Sequence, residues 1–207
     1  MHIRTIPVGR LQTNCYVVTD PETKYAAVID PGDEGHLIQQ YLEDEGITPK
    51  AVFLTHGHYD HTTAADDLSL EWDIPVYISL GDVSNDSRPN PHLYKPAGDT
   101  RFWKEGDEIG IGNLRFQVLA TPGHSHGSVC LLVEDCLFTG DTLFRDDCGR
   151  TDLTNGNSDL MAKSLARIDK LSPTGNLEIY PGHAEATTLE RERRFNYYLR
   201  QASTGSR

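Results

Sequence analysis

Residues 55–61 read THGHYDH and place three histidines and one aspartate within seven positions. They follow directly on the apolar run at residues 51–54, whose continuous hydrophobic content predicts a buried β-strand. Imidazole nitrogens and carboxylate oxygens are ligands that proteins use for zinc, iron and manganese. Open α/β sheets place their ligand sites beyond the carboxyl ends of strands, so this segment predicts a metal site there.

Three later segments each place one further candidate ligand just past a predicted strand. His124 lies in TPGH after LRFQVLA, Asp141 lies in FTGD at the end of CLFTG, and His183 lies in YPGH after NLEIY. If the strand ends gather at one edge, these side chains converge with those of the opening motif. The complete candidate set is His56, His58, Asp60, His61, His124, Asp141 and His183.

This set contains five imidazoles and two carboxylates, which is more than one metal ion needs. A catalytic zinc ion takes three protein ligands and leaves a position for water. We therefore expect two divalent ions that share one carboxylate and leave open positions for a shared hydroxide. Mixed nitrogen and oxygen ligands suit zinc, iron or manganese, and zinc is the first expectation.

The same pattern recurs in both parts of the chain, with strands first and helices later. Strands are predicted in the first part at 2–8, 15–19, 25–30, 51–55 and 74–79, and in the second part at 108–112, 114–120, 128–134, 136–140 and 176–180. Helices are predicted at 30–46, 61–70 and 157–171, and Thr187 and Glu190 have the spacing of a capping box for a last helix. Two such parts can pack sheet to sheet, with helices on both outer faces.

Length and charge narrow the possible functions. The 207 residues suit a single domain spanning 1–207, with the tail 202–207 expected to be disordered. The net charge of −12 disfavours general affinity for nucleic acid or anionic membranes. No apolar run approaches the roughly 20 residues of a membrane span, and the start lacks the apolar core of a signal peptide, so we expect a cytoplasmic protein.

THGHYDH, with His124, Asp141 and His183 in this order and context, resembles the metallo-β-lactamase-fold hydrolases. Within that superfamily, the chain is most similar to the glyoxalase II (hydroxyacylglutathione hydrolase) group, through DPG at 30–32, TPGH at 121–124 and GDTLF followed by CGRTDL. The resemblance implies an α+β fold, a four-layer αββα sandwich. It implies that His56, His58, His124 and Asp141 hold a first metal ion. Asp60, His61, Asp141 and His183 would hold a second, with Asp141 bridging.

Three departures from that group concern substrate recognition. Long glyoxalase II enzymes carry a lysine where Arg150 stands, and Arg150 could contact a substrate carboxylate or pair with Asp146, Asp147 or Asp152. They carry a tyrosine where Glu185 stands, and an acid there would repel an anionic substrate. Because the sequence has 24 residues after His183, we expect no counterpart of their helical C-terminal domain, and the compact relatives of the group are the nearer likeness.

The resulting hypothesis is hydrolysis of a small-molecule thioester such as S-lactoylglutathione, with Asp60 and Asp141 acting through the metal-bridging hydroxide. The alternatives are a persulfide dioxygenase using one iron through His56, His124 and Asp141, phosphodiester cleavage, and metal binding without catalysis. His126 is expected in the wall of the site, and Cys148 is expected to pack within its loop. The Pro-rich segment 81–100 is either a lid near the site or a surface loop. The oligomeric state and the acyl group are not predicted.

Overall fold

The computed structural model of the chain describes residues 1–84, 87, 89–171 and 176–204. Its first sheet has six strands in the order β1-β2-β3-β4-β5-β6. These strands are β1 (His2–Val8), β2 (Thr13–Thr19), β3 (Tyr25–Ile29), β4 (Thr48–Phe53), β5 (Val76–Ser79) and β6 (Thr100–Trp103). The strands from β3 to β6 run parallel, so their carboxyl ends lie at the same edge of the sheet.

The second sheet has the order β14-β13-β10-β9-β8-β7. Its strands are β7 (Glu108–Ile111), β8 (Leu114–Ala120), β9 (Val129–Val133), β10 (Cys136–Gly140), β13 (Glu178–Pro181) and β14 (Thr187–Thr188). Strand β10 runs parallel to β13, whereas the other pairs are antiparallel. A small hairpin of β11 (Leu143–Phe144) and β12 (Asp147–Cys148) follows β10.

The helices cover the outer faces of the two sheets. They are α1 (Gly35–Asp44), α2 (Tyr59–Thr62), α3 (Ala65–Trp72), α4 (Ser158–Asp169), α5 (Leu189–Phe195) and α6 (Tyr197–Thr204), and a 3-10 helix spans Leu80–Asp82. Ile38 and Leu42 on α1 are one turn apart and pack on the first sheet, and Leu165 on α4 packs on the second. None of the helices in the described part of the chain has the length and hydropathy needed to span a bilayer.

A central core joins the inner faces of the two sheets. Phe53 of β4 packs edge-on against Phe116 of β8, with ring centroids 5.2 Å apart. Tyr16 of β2 contacts Phe138 of β10 at 5.1 Å. The order of layers is therefore helix, sheet, sheet, helix, and the predicted α+β, four-layer αββα sandwich is confirmed.

Two predicted elements differ from the structure, and one strand of the structure was not predicted. The single helix expected at 61–70 is divided into α2 and α3, because the Ala64 N–H donates to the Pro31 carbonyl instead of continuing the helical pattern. The predicted cap at Thr187 is wrong by one residue, since the Thr188 hydroxyl accepts from the Arg191 N–H and caps α5. The strand that was not predicted is β6, which begins at Thr100, the last residue of the segment expected to be irregular, and pairs with β5.

The expectation of a disordered tail at 202–207 is wrong for its first three residues. Helix α6 continues to Thr204, and Ala202 is buried against α4 and the second sheet. Residues 205–207 lie outside the described residues.

Candidate metal centre

All seven candidate ligands lie at one edge of the sandwich. His56, His58, Asp60 and His61 follow β4, His124 lies between β8 and β9, Asp141 follows β10, and His183 follows β13. His56, His61 and His124 are buried. The expected convergence of these strand ends is therefore present in the fold.

Three histidines form the first group. His58 Nδ1 lies 2.8 Å from His124 Nε2, and the ring centroids of His56 and His124 are 4.9 Å apart. One nitrogen of each ring lies within 4.8 Å of the other two, a spacing that can hold a metal ion.

Asp60, His61 and His183 form the second group. His61 Nε2 lies 3.6 Å from Asp60 Oδ2 and 3.4 Å from His183 Nε2, while Asp60 Oδ2 and His183 Nε2 are 3.3 Å apart. These three atoms also meet the spacing required of metal ligands. Asp60 projects from the first turn of α2, and the Thr13 hydroxyl on β2 donates to it at 3.4 Å.

Asp141 lies between the two groups. Its Oδ2 is 3.4 Å from His124 Nε2 in the first group, and its Oδ1 is 3.4 Å from His61 Nε2 in the second. A carboxylate in this position can face two cations at once.

The polar atoms at this edge fit a cation better than a set of hydrogen bonds. His56 Nε2 and Asp141 Oδ1 are buried, and neither has a hydrogen-bond partner among the described residues. Leaving a buried polar atom unpaired costs about 1–3 kcal/mol, so such atoms call for an explanation. The donor set of imidazoles and carboxylates matches the chemistry of a metal site, and a cation would satisfy both atoms.

The outward-facing nitrogens of three rings are held by neighbouring groups. His124 Nδ1 is 2.8 Å from the Arg150 carbonyl, and His183 Nδ1 is 3.2 Å from the Leu11 carbonyl. A carbonyl can only accept, so each holds the N–H at Nδ1 and directs Nε2 toward the cluster, where a metal ion could bind it.

Asp30 performs the same role for His61 and was missed in the sequence. One of its carboxylate oxygens lies 3.0 Å from His61 Nδ1 and accepts from the Thr55 hydroxyl at 2.6 Å. The other accepts from the Thr55 N–H at 2.8 Å. The sequence signal for Asp30 is an acid immediately after the apolar strand YAAVI, at the first position of DPG.

Asp82 was also missed, and it holds two loops of the site together. Its carboxylate accepts from the Gly57 N–H at 3.0 Å in the opening motif. It accepts from the Ser125 hydroxyl at 2.5 Å and the Gly127 N–H at 2.7 Å in the loop that carries His124. Burial raises the pKa of Asp82, and these hydrogen bonds oppose that shift.

Asp82→Asn is expected to weaken the fold and the metal centre together. An amide offers one acceptor oxygen in place of two, so a buried N–H or hydroxyl loses its partner, at a cost of about 1–3 kcal/mol in the free energy of unfolding. Metal affinity should fall by about tenfold, as for other residues that orient ligand loops. Denaturant unfolding and metal titration measure the two effects. Asp73→Asn, at an exposed position after α3, is the control; equal behaviour of the two variants would contradict the role of Asp82.

The charges of the cluster differ between its two groups. Burial lowers the pKa of His58 to about 4, with the neighbouring His124 adding to the effect, and burial also lowers that of His56. Burial alone would lower the pKa of His61, but the carboxylates of Asp141 and Asp30 outweigh it and raise the value to about 9. His56 and His58 are therefore neutral, whereas His61 holds a proton that a metal ion would displace.

Asp60 stays ionised throughout the neutral range. Burial raises the pKa of its carboxyl, but the hydrogen bond with His183 and the charge of His61 outweigh burial and lower it to about 2. An ionised carboxylate is the form that binds a metal ion.

A cavity of about 740 Å³ opens over the cluster, and Asp60, Asp141, His58, His124 and His183 line its floor. Asn90, His92 and Leu93 line it as well, so the segment 81–100 contributes to the wall of the site. Residues 85, 86 and 88 of that segment lie outside the described residues. Leu93 forms an isolated antiparallel β-bridge with His58. The hydroxyl of the buried Tyr94 donates to Asp66 at 2.5 Å.

Arg150 lines the same cavity and also forms an ion pair. Its guanidinium donates to both carboxylate oxygens of Asp152, at 2.7 and 2.8 Å. Glu185, which was expected to repel anionic substrates, is paired with Arg145. The structure therefore shows the pairing of Arg150 with an acid, Asp152, and its role in substrate binding stays a prediction.

Cys148 and His126 lie beside the cluster. Cys148 lines the cavity and packs against the outer core of the second sheet. Burial, followed by the charge of Asp147, raises the pKa of its thiol to about 11, so it stays protonated. His126 is exposed and lines a neighbouring cavity of about 540 Å³.

Comparisons with known proteins agree with this architecture. The family model described as the metallo-beta-lactamase superfamily matches residues 8–183. The chain is 37% identical to the probable metallo-hydrolase YqgX of Bacillus subtilis, over 96% of this chain and 98% of that protein. It is 32% identical to the hydroxyacylglutathione hydrolase GloC of Haemophilus influenzae, over 98% of this chain and 100% of that protein.

Solved structures show the same fold. The B3 metallo-beta-lactamase BLEG-1 superposes with a TM-score of 0.84 at 33% identity, over 96% of this chain and 99% of that one. ETHE1 from Myxococcus xanthus superposes with a TM-score of 0.82 at 31% identity, over 98% of this chain and 88% of that one. TTHA1623 in a di-iron-bound form superposes with a TM-score of 0.80 at 33% identity, over 94% of this chain and 99% of that one.

Proposed function

The chain belongs to the metallo-beta-lactamase superfamily and is a metallo-hydrolase of that superfamily, and from this premise we propose that it hydrolyses thioesters. The supporting observation is the position of Asp141 between two complete groups of potential ligands. The relative GloC is a hydroxyacylglutathione hydrolase, which makes S-lactoylglutathione the first substrate to test.

In this proposal, seven side chains hold two divalent ions. His56, His58, His124 and Asp141 would hold the first ion, and Asp60, His61, Asp141 and His183 would hold the second. Zinc is the first expectation, with iron and manganese as alternatives, and the di-iron form of TTHA1623 supports testing iron. When bound, such ions polarise a carbonyl and lower the pKa of water to about 7.

The residues of the chain itself orient and charge the site. Asp30 and the carbonyls of Leu11 and Arg150 fix the histidine rings, while Asp60 and Asp141 supply the negative charge that retains the cations. The departing thiolate requires little assistance, since a thiol pKa is about 8.5. A thioester therefore suits this site, because its leaving group requires no general acid. Cys148, which lines the cavity, stays protonated.

A persulfide dioxygenase remains the second candidate. That reaction uses one iron through His56, His124 and Asp141, so the group of Asp60, His61 and His183 would have no function in it. The completeness of this second group favours hydrolysis.

Removal of metal should abolish hydrolysis. Protein dialysed against a chelator is expected to lose at least about 99% of its turnover of S-lactoylglutathione, because the nucleophile forms only with the metal present. Zinc, manganese or ferrous iron should restore it. Unchanged turnover by metal-free protein would reject the proposal, and oxygen uptake with glutathione persulfide would favour the dioxygenase.

A further inference from the structure

The mouth of the cavity is more apolar than the charged floor suggests. Leu11, Tyr59 and Leu153 line it, and they are 53%, 61% and 38% exposed. They come from three separate segments: the β1–β2 turn, the start of α2 and the loop before α4. Single exposed leucines are ordinary, but three large apolar side chains at one opening form a patch of the kind that binds ligands.

Phe144 and Leu93 extend this apolar surface into the cavity. Asn90, Thr154 and Asn155 also line the cavity, and they are polar and uncharged. A ligand can therefore bury apolar surface along the wall while its reacting group reaches Asp141 and the histidines.

Positive charge is scarce along the same wall. Arg150 is the one lysine or arginine among the described residues that line the cavity, and the Nε–Nη2 edge of its guanidinium donates to Asp152. Arg145, which follows the lining residue Phe144, is paired with Glu185. A glutathione thioester carries two carboxylates, and here each would meet an arginine whose charge is already balanced by Asp152 or Glu185.

We infer that this site takes thioesters whose thiol portion is uncharged and apolar, in preference to glutathione thioesters. The inference rests on the proposed thioesterase function and specifies its substrate class. Apolar contact with Leu11, Tyr59 and Leu153 provides the affinity, and the ion pair of Arg150 with Asp152 reduces the advantage of a carboxylate.

Binding of two thioethers that cannot be hydrolysed tests the preference directly. One is S-(2-hydroxypropyl)glutathione, and the other is the benzyl thioether with the same hydroxypropyl group. On the metal-loaded full chain, calorimetry is expected to give a Kd at least about tenfold lower for the benzyl compound. Equal affinities, or tighter binding of the glutathione compound, would overturn the inference.

Leu153→Ser separates the apolar rim from the rest of the site. It is expected to raise the Kd of the benzyl compound by about fivefold, because apolar contact is lost. Leu70→Ser is the matched control, since Leu70 is 67% exposed on α3 and does not line the cavity. Equal Kd values for the two variants would show that the apolar side chains at the mouth of the cavity do not contribute to binding.

Asp152→Asn tests the role of the ion pair. Releasing Arg150 should lower the Kd of the glutathione compound several-fold, since a free guanidinium binds carboxylate well. An unchanged Kd would overturn the argument from charge. Hydrolysis of the two corresponding lactoyl thioesters is measured separately. If neither compound is cleaved, the thioesterase function is rejected. The ratio of the two Kd values decides the substrate class.

Discussion

Asp141→Asn is expected to lower kcat/KM for thioester hydrolysis at least about 100-fold, more than the loss of a residue that only supports a ligand. Asp141 lies 3.4 Å from a histidine of each group, so its charge serves both. Asparagine keeps the shape of the side chain but removes the negative charge that two adjacent cations require. Steady-state kinetics and elemental analysis of the same preparation measure the loss of activity and of metal.

Asp73→Asn is the control for this variant, because it makes the same chemical change at an exposed position where the backbone is left-handed and asparagine is tolerated. It should retain the kinetics and metal content of the unmodified protein. Full activity in Asp141→Asn would show that this carboxylate does not join the two groups.

Gly182→Ala is expected to have the second largest effect, although it adds only one methyl group. A Cβ at this position would overlap Asp141 Oδ1 and lie 2.7 Å from His61 Cε1. Both side chains would have to move, and a displacement of about 1 Å in a reacting site can cost about 100-fold in rate. Kinetics at saturating metal should show this loss, and metal titration should show weaker binding.

Gly98→Ala is the matched control, because its nearest contact would be an ordinary one, at 3.4 Å from Ser69 Oγ. If Gly182→Ala bound metal and turned over substrate as well as Gly98→Ala, the close packing of Gly182 against the cluster would have no functional importance.

The positions of the seven candidate ligands could be predicted because each follows an apolar run that forms a strand. Such runs are read from local sequence, and strand ends meet at a sheet edge by geometry. Asp30 carries the same signal, an acid directly after the apolar strand YAAVI, but nothing local shows that it orients His61, and Asp82 could not be assigned in this way. Asp82 acts by bonding two loops that are distant in sequence, and only the packed fold shows that Gly57 and Gly127 meet at its carboxylate.

Contacts between segments that are distant in sequence also explain why some helices and strands were predicted incorrectly. The break between α2 and α3 depends on the Pro31 carbonyl, which belongs to a different strand connection. Strand β6 depends on β5 for its hydrogen bonds and carries little apolar periodicity of its own. The partner of Arg150 was left open among several acids because side-chain pairing in a loop follows the path of the backbone, and the structure selects Asp152.

The metal content of the purified full chain tests the central claim most directly. After equilibration with zinc and removal of free ions, elemental analysis is expected to give about two metal equivalents per chain, matching two groups of ligands joined by Asp141. Retention of one equivalent would contradict the dinuclear centre, and retention of none would contradict the metal site itself.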